Sequence, residues 1–121
     1  MNLASISENK DKEKRIAVTP EIAKKYISLG FNLSLPSNYG SHLGFDDDQY
    51  KSLGVNFVQN EEEIIKNSDI IIQLGLLNDK KLLLLKEHQT LIGSLNVFSN
   101  KEKLENLKSK KINCFSLELL P

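Results

Sequence analysis

The sequence is poor in cysteine and carries no net charge. A single cysteine, Cys114, excludes an intrachain disulfide, and one thiol with two histidines does not make a recognisable zinc site, so no metal is predicted. The 16 basic side chains are balanced by 16 acidic ones. Because nucleic-acid binding normally needs a basic excess on one face, no nucleic-acid partner is predicted.

The sequence also lacks a long apolar run. Its longest run, Leu82–Leu85, is far shorter than the roughly 20 residues that span a bilayer. The first twenty residues hold no apolar segment typical of a signal peptide. Together with the single cysteine, these features favour a cytoplasmic location. A chain of 121 residues that is 40% hydrophobic and 26% charged fits one globular domain.

Short apolar runs alternate with helical patterns along the whole chain. The clearest runs are apolar without strict alternation, which is typical of strands covered on both faces. This pattern predicts a three-layer α/β/α domain with a mostly parallel, Rossmann-like (flavodoxin-like) sheet of about six strands. The predicted strands are Leu3–Ile6, Phe31–Leu35, Val55–Val58, Asp69–Leu74, Thr90–Leu95 and Ile112–Leu117.

Capping residues predict where the helices begin and end. Thr19 and Pro20 suit the N-cap and first turn of a helix that ends before Gly30. A second helix is expected over Asp46–Leu53, and its first aspartates, Asp46, Asp47 and Asp48, suit the helix dipole better than a metal ion. Further helices are expected from Asn60, over Asn78–Glu87, and after a capping box formed by Ser99 and Glu102.

The loop Ser7–Val18 is the best candidate for ligand contacts, because an open α/β sheet binds ligands where its strands end. It contains Arg15, the only arginine beside 15 lysines. A guanidinium there could hold a carboxylate or phosphate through two parallel N–H bonds, which lysine cannot do. The alternative interpretation is a solvated cation in a surface ion pair.

The remaining candidates favour structural roles. Gly40 and Gly44 do not have the spacing of a dinucleotide-binding motif and are predicted to form turns. His42 is expected on the surface, and His88 at the C-terminal end of the leucine-rich helix, where its charge would suit the dipole. Cys114 is predicted to be a buried structural thiol.

Five segments together resemble the N-terminal domain shared by alanine dehydrogenases and the α subunits of proton-translocating NAD(P) transhydrogenases. The likeness covers essentially all of residues 1–121, and its most specific part is the block Arg15–Pro20. The run Gly44–Asp47 with Tyr50, and the turn Leu77–Asp79, favour the transhydrogenase branch. The segments are Lys14-Arg15-Ile16-Ala17-Val18-Thr19-Pro20, Leu29-Gly30-Phe31, Gly44-Phe45-Asp46-Asp47, Gly54-Val55 and Ser68-Asp69-Ile70-Ile71.

The resemblance implies that this domain packs against a separate Rossmann domain and forms one wall of an NAD(H) cleft. In the family, the second domain binds most of the dinucleotide, and its glycine motif is absent from this chain. The implied activity is hydride transfer between NADH and NADP⁺, coupled to proton movement through a membrane subunit. The implied assembly is a homodimer, held at the inner membrane through partner subunits, and the isolated chain is expected to be inactive.

Two positions depart from the alanine dehydrogenases. Gln73 stands where they carry a substrate-binding lysine and Asn96 where they carry a pocket histidine, whereas Arg15 matches their carboxylate-binding arginine. Losing a cation and a proton-exchanging group argues against alanine dehydrogenase chemistry. Members of the transhydrogenase branch also tend to keep the lysine. Arg15, Gln73 and Asn96 are therefore the predicted cleft contacts, and no catalytic residue is assigned.

Two alternatives stay open beside the transhydrogenase interpretation. One is the N-terminal domain of an alanine dehydrogenase. The other is a stand-alone α/β binding or assembly module without catalysis, which the missing glycine motif favours. The chain ends at Leu119-Leu120-Pro121, directly after a predicted strand, and this leads us to expect the beginning of a longer polypeptide.

Overall fold

Six parallel strands form one sheet in the computed structural model, which describes residues 1–119. The sheet order is β3-β2-β1-β4-β5-β6, and each neighbouring pair is parallel. The six predicted strands are confirmed, although each is shorter than expected, and so is the Rossmann-like α/β fold. The strand order is that of a Rossmann fold. The strands are β1 (Asn2–Ala4), β2 (Asn32–Leu35), β3 (Asn56–Phe57), β4 (Ile70–Ile72), β5 (Thr90–Gly93) and β6 (Asn113–Ser116).

The first helices begin where their capping residues predict. The Thr19 hydroxyl accepts the Ile22 N–H at 3.3 Å, and Gly30 follows the helix end with a φ of 94°. Asp46 and Gln49 form a capping box ahead of the second helix, so these residues serve the helix start. The helices are α1 (Pro20–Ser28), α2 (Asp47–Lys51), α3 (Glu61–Asn67), α4 (Asp79–Leu82) and α5 (Lys101–Ser109).

The helix predicted over Asn78–Glu87 is wrong beyond Leu82. The segment that follows is held by Gln89, which accepts the Lys86 N–H and donates to the carbonyls of Ile65 and Ser68. These bonds draw the chain towards α3 and out of the helical path. His88 consequently lies in a turn with a φ of 75° and does not lie at a helix C-terminus.

The capping box predicted at Ser99 and Glu102 is not formed. Asn100 is the N-cap of α5, and its side chain makes no capping bond. Its amide instead donates to the carbonyl of Leu95, five residues earlier, at 2.8 Å, and so holds the turn after β5. The prediction of a longer polypeptide was made from the last residues of the chain, of which Leu120 and Pro121 lie outside the described residues.

Apolar side chains pack on both faces of the sheet. Leu3, Leu33 and Leu35 lie on one face, which α1 and α2 cover. Ala4, Ile71 and Leu91 alternate with them and lie on the opposite face, under α3, α4 and α5. The helices therefore change faces between β3 and β4, which is the doubly wound arrangement. Within residues 1–119, no helix combines the length and apolarity needed to cross a membrane.

Candidate functional site

The site lies at the carboxyl ends of β1 and β4, which are neighbours in the sheet although two strands separate them in sequence. The chain winds away from this pair in opposite directions, so its connections leave a crevice there. Ser5 and Ile6 follow β1, and Gln73 and Leu74 follow β4. These four residues place the polar groups of the two strand ends next to each other.

Gln73 lies at the base of the crevice and is 1% exposed. Its Oε1 accepts the Ile6 N–H at 2.7 Å and the Ser5 hydroxyl at 3.1 Å. Its Nε2 donates to the Ile6 carbonyl at 3.1 Å and to Glu8 Oε2 at 2.8 Å. A side-chain amide has two donors and two acceptor positions, so every one is used inside the protein. Gln73 thus fills the crevice with a neutral, fully bonded group.

Glu8 covers this amide from the loop that follows β1. Its Oε2 accepts the Leu74 N–H at 2.9 Å, and its Oε1 accepts the Gly75 N–H at 3.2 Å. Burial raises the pKa of the Glu8 carboxyl, and the two backbone N–H groups oppose that shift. The sequence analysis did not single out Glu8 within the Ser7–Val18 loop. Its position directly after the first strand was the available signal.

Two tyrosines extend the polar network towards β2. The Tyr39 hydroxyl lies 2.8 Å from the Ser5 hydroxyl and accepts the Val18 N–H at 3.1 Å. The Tyr50 hydroxyl donates to the Val18 carbonyl at 2.8 Å, and the two rings pack edge to face. Burial raises the pKa of Tyr39 to about 12. Both tyrosines therefore tie the end of the Ser7–Val18 loop to the body of the domain.

Arg15 lies on the surface of that loop, with its side chain 80% exposed. Its guanidinium donates two bonds to Glu13, from Nε to Oε1 at 2.7 Å and from Nη2 to Oε2 at 3.1 Å. The Arg15 hydrogen bonds lower the pKa of the Glu13 carboxyl. The forked geometry expected for an anionic ligand is thus satisfied by a carboxylate of the same loop.

Asn96 lies in the turn after β5 and is exposed, with a φ of 52°. Its carbonyl accepts the N–H groups of Ser99 and Asn100. Of the three predicted contacts, Gln73 alone sits in the crevice and touches the Ser7–Val18 loop through Glu8. Arg15 bonds within its own loop and Asn96 within its own turn, so the predicted roles of all three as cleft contacts stay predictions.

The other residues singled out in the sequence take structural positions. His42 Nε2 lies 2.8 Å from the Lys14 carbonyl, and Gly44 makes a turn with a φ of 84°. Gly40 passes close to the Tyr50 hydroxyl, which leaves little room for a side chain. Cys114 is half-buried on β6 and not buried as predicted, because β6 is an edge strand.

The strand order and the crevice at its switch point define a Rossmann-type α/β domain. The family described as alanine dehydrogenase/PNT, N-terminal domain, matches residues 5–121 of this chain. The chain therefore belongs to that family, and the resemblance seen in the sequence is confirmed. Its relatives include transhydrogenases and dehydrogenases, so the family is one of oxidoreductases.

Curated relatives from both branches align with almost the whole chain. An NAD(P) transhydrogenase subunit alpha protein of Rickettsia prowazekii is 29% identical over 125 residues, covering 100% of this chain and 33% of that protein. Alanine dehydrogenase 1 of Staphylococcus aureus is 28% identical over 120 residues, covering 99% of this chain and 32% of that protein. The chain thus spans about a third of the length of these relatives.

Solved structures share the fold. A transhydrogenase from Sinorhizobium meliloti superimposes with a TM-score of 0.87 at 21% identity, covering 98% of this chain and 36% of that one. An L-alanine dehydrogenase gives a TM-score of 0.87 at 18% identity, covering 96% of this chain and 32% of that one. At such identities the likeness establishes the fold, and function has to be argued from the site.

Proposed function

We propose that this chain is the N-terminal part of the α subunit of a proton-translocating NAD(P) transhydrogenase and forms one wall of its NAD(H) cleft. The proposal is supported by the transhydrogenase α subunits that align over the whole chain. It is carried by the chemistry of the crevice, where Gln73 is neutral and Glu8 is acidic. Such a crevice disfavours the carboxylate of an amino acid or oxo acid, which a dehydrogenase acting on alanine must hold.

The residues of this chain do not fit the diphosphate of a dinucleotide. A Rossmann diphosphate site needs a glycine-rich turn between the first strand and the first helix. Here that connection, residues 5–19, contains no glycine, and Thr19 and Pro20 occupy the start of α1. We therefore assign most of the NAD(H) binding to a second domain and derive no catalytic step for this chain.

An uncovered apolar row on the sheet supports packing against such a domain. Ile72, Ile92 and Phe115 are aligned side by side across β4, β5 and β6. Phe115 is 60% exposed, and Ile92 joins neither core cluster of the described residues. Ile72 and Ile92 are half-buried, so Phe115 is the exposed end of this row, and contiguous apolar groups on a surface mark interaction sites.

The opposite face offers an internal comparison. Its uncovered part, over β2 and β3, carries the polar residues Asn32, Ser34 and Asn56. Because the same domain places polar side chains on one uncovered area and apolar side chains on the other, solvent alone does not account for the apolar row. We assign this row to the interface with the NAD-binding domain.

The proposed protein also includes a membrane subunit that carries the proton pathway. In this proposal the chain works in the cytoplasm, as part of a homodimer, at the inner membrane surface through its partners. NAD(H) is the cofactor, shared with the second domain, and no metal is part of the proposal.

The test is an assay of the complete protein in membranes. Hydride transfer from NADH to an NADP⁺ analogue, sensitive to an uncoupler, is the expected result. Amination of pyruvate with NADH and ammonia at a comparable rate would instead establish the alanine dehydrogenase alternative. If deleting this domain abolishes neither activity, the alternative of a non-catalytic binding or assembly module would be supported.

A further inference from the structure

The Lys14 carbonyl is held by a side chain from another part of the chain. His42 Nε2 lies 2.8 Å from this oxygen, although 28 residues separate the two in sequence. A carbonyl oxygen only accepts hydrogen bonds, so His42 donates to it from Nε2. This carbonyl belongs to the peptide group that joins Lys14 to Arg15. The bond therefore fixes the backbone immediately before Arg15.

The backbone that follows Arg15 is held by the same region of the chain. The Tyr39 hydroxyl accepts the Val18 N–H at 3.1 Å, and the Tyr50 hydroxyl donates to the Val18 carbonyl at 2.8 Å. Residues 14–18 are thus anchored at both ends by side chains of the segment after β2. Arg15 lies between the two anchors.

His42 itself lies on a turn that is well fixed. Tyr39, which shortly precedes it, is 1% exposed. The Gly40 carbonyl accepts the N–H groups of Leu43 and Phe45, at 3.0 and 3.1 Å, and so closes the turn around His42. The imidazole is consequently presented by a rigid part of the domain, and the loop is the partner that it holds in place.

The direction of the Arg15 guanidinium follows from the backbone that His42 holds. Glu13 accepts the Arg15 backbone N–H at 3.1 Å, Nε–H at 2.7 Å and an Nη2 N–H at 3.1 Å. Because one carboxylate holds both the backbone and the side chain of Arg15, the guanidinium moves with its peptide group. Two of its five N–H groups bond to Glu13. The other three make no hydrogen bond within residues 1–119 and remain open to a group outside the chain.

We propose that His42 is a positioning residue, which holds the peptide group between Lys14 and Arg15 and thereby sets the direction of the open guanidinium N–H groups. In the complete protein this keeps Arg15 in the geometry in which it acts at the NAD(H) cleft. The activity of Arg15 rests on the proposed function, whereas the hold of His42 on the loop does not. Any side chain that donates from the same place can replace the imidazole.

The first experiment observes Arg15 directly in the full chain. Arg15 is the only arginine, so its Nε–H gives a single NMR signal. In His42→Ala this N–H should exchange with water about fivefold faster, the effect of losing one ordinary hydrogen bond. In His42→Gln the amide can donate to the same carbonyl and should restore slow exchange. The matched control is His88→Asn, which removes the other histidine at a φ of 75° that asparagine tolerates.

The second experiment measures NADH-dependent turnover of the complete protein. His42→Ala should lower kcat/KM for NADH by about fivefold, and His42→Gln should restore it. In an Arg15→Ala background, His42→Ala should cause no further loss, because a residue that acts through Arg15 has no effect without it. Since His42 is exposed, its variants should unfold at nearly the temperature of the unmodified protein.

Unchanged Arg15 exchange in His42→Ala, or an equal loss of turnover in both backgrounds, would overturn the positioning role. Full turnover in both His42→Ala and Arg15→Ala would do the same. If the complete protein aminates pyruvate and does not transfer hydride to an NADP⁺ analogue, the proposed function fails, and the two backgrounds are compared in that reaction. If it catalyses neither reaction, the proposed function fails and the Arg15 exchange rate decides alone whether His42 positions the loop.

Discussion

The side chain of Gln73 pairs with the backbone of Ile6 in both directions. Its Oε1 accepts the Ile6 N–H at 2.7 Å, and its Nε2 donates to the Ile6 carbonyl at 3.1 Å. Because β1 ends at Ala4 and β4 at Ile72, the amide supplies the pairing that the two backbones no longer make. One side chain thereby closes the switch point of the sheet.

Replacing Gln73 should cost much of the stability of the domain. Gln73→Leu leaves the Ile6 N–H and carbonyl buried without partners, and each such group costs about 1–3 kcal/mol. We expect the free energy of unfolding, measured with urea, to fall by about 3 kcal/mol. Gln59→Leu, at an exposed position, is the control and should change it by less than about 0.5 kcal/mol. A loss at Gln73 no larger than that of the control would contradict this role.

The backbone of Gln73 also makes a side chain at Gly93 unacceptable. A Cβ at Gly93 would overlap the Gln73 carbonyl oxygen on the neighbouring strand, whereas a Cβ at Gly75 meets only Glu8 Oε1 at 3.7 Å. Gly93→Ala should therefore destabilise the chain by about 3 kcal/mol or more, because the strands have to separate. Gly75→Ala should remain folded with a nearly unchanged unfolding midpoint. Equal stability of the two variants would show that the Gln73 carbonyl does not come this close to Gly93.

Tyr39 should make the domain sensitive to alkaline pH. Burial raises its pKa to about 12, against about 10 in an unfolded chain, so its contribution is complete below pH 10 and is lost between pH 10 and 12. Tyr39→Phe lacks this contribution. Its unfolding free energy should fall between pH 10 and 12 by about 2–3 kcal/mol less than that of the unmodified chain. Tyr26→Phe retains Tyr39 and should lose as much as the unmodified chain.

Arg15 should matter for activity and hardly at all for stability. Its guanidinium is exposed, so Arg15→Lys should change the unfolding free energy by less than about 0.5 kcal/mol. In the complete protein, loss of the forked N–H geometry should lower turnover by about tenfold, equivalent to about 1.4 kcal/mol. Lys14→Ala, at the adjacent exposed position, is the control. Unchanged turnover and NADH affinity in Arg15→Lys would reduce Arg15 to a partner of Glu13.

Phe115 should be needed for association with the NAD-binding domain. Phe115→Ser removes the outermost side chain of the apolar row without touching the core, so the chain should fold as before. Its co-purification with the rest of the protein should decrease strongly. Phe98→Ser is the control, because Phe98 is 91% exposed in the loop after β5 and lies off the sheet face. Equal retention of both variants would exclude this face as the interface.

Isolated from that domain, the chain should not bind NADH measurably, because the first turn of its sheet has no glycine-rich diphosphate site. Titration calorimetry with NADH should show no saturable heat. A dissociation constant in the low micromolar range would contradict the assignment of the nucleotide to the second domain.

Local chemistry made most of the secondary structure readable from the sequence. Thr19 and Asp46 start helices through bonds to residues three positions away, so the signal and its effect share one short segment. The alternation of apolar runs with capped helical patterns likewise indicated a parallel α/β sheet. The error after Leu82 arose where Gln89 bonds to the distant carbonyls of Ile65 and Ser68 and overrides the local preference. At Ser99 the competing bond is itself local, since Asn100 donates to Leu95 five residues earlier.

The candidate site likewise has a part that the sequence indicated and a part that only long-range contacts determine. Arg15, Gln73 and Asn96 were predicted as cleft contacts because the sequence around them resembles a family, but the sequence did not indicate that Gln73 is fully bonded within the protein. Glu8 went unrecognised because its partners Leu74 and Gly75 are 66 and 67 residues away. Hydrogen bonds over such separations exist only after β1 and β4 have become neighbours, so the tertiary structure alone decided which polar groups meet in the crevice.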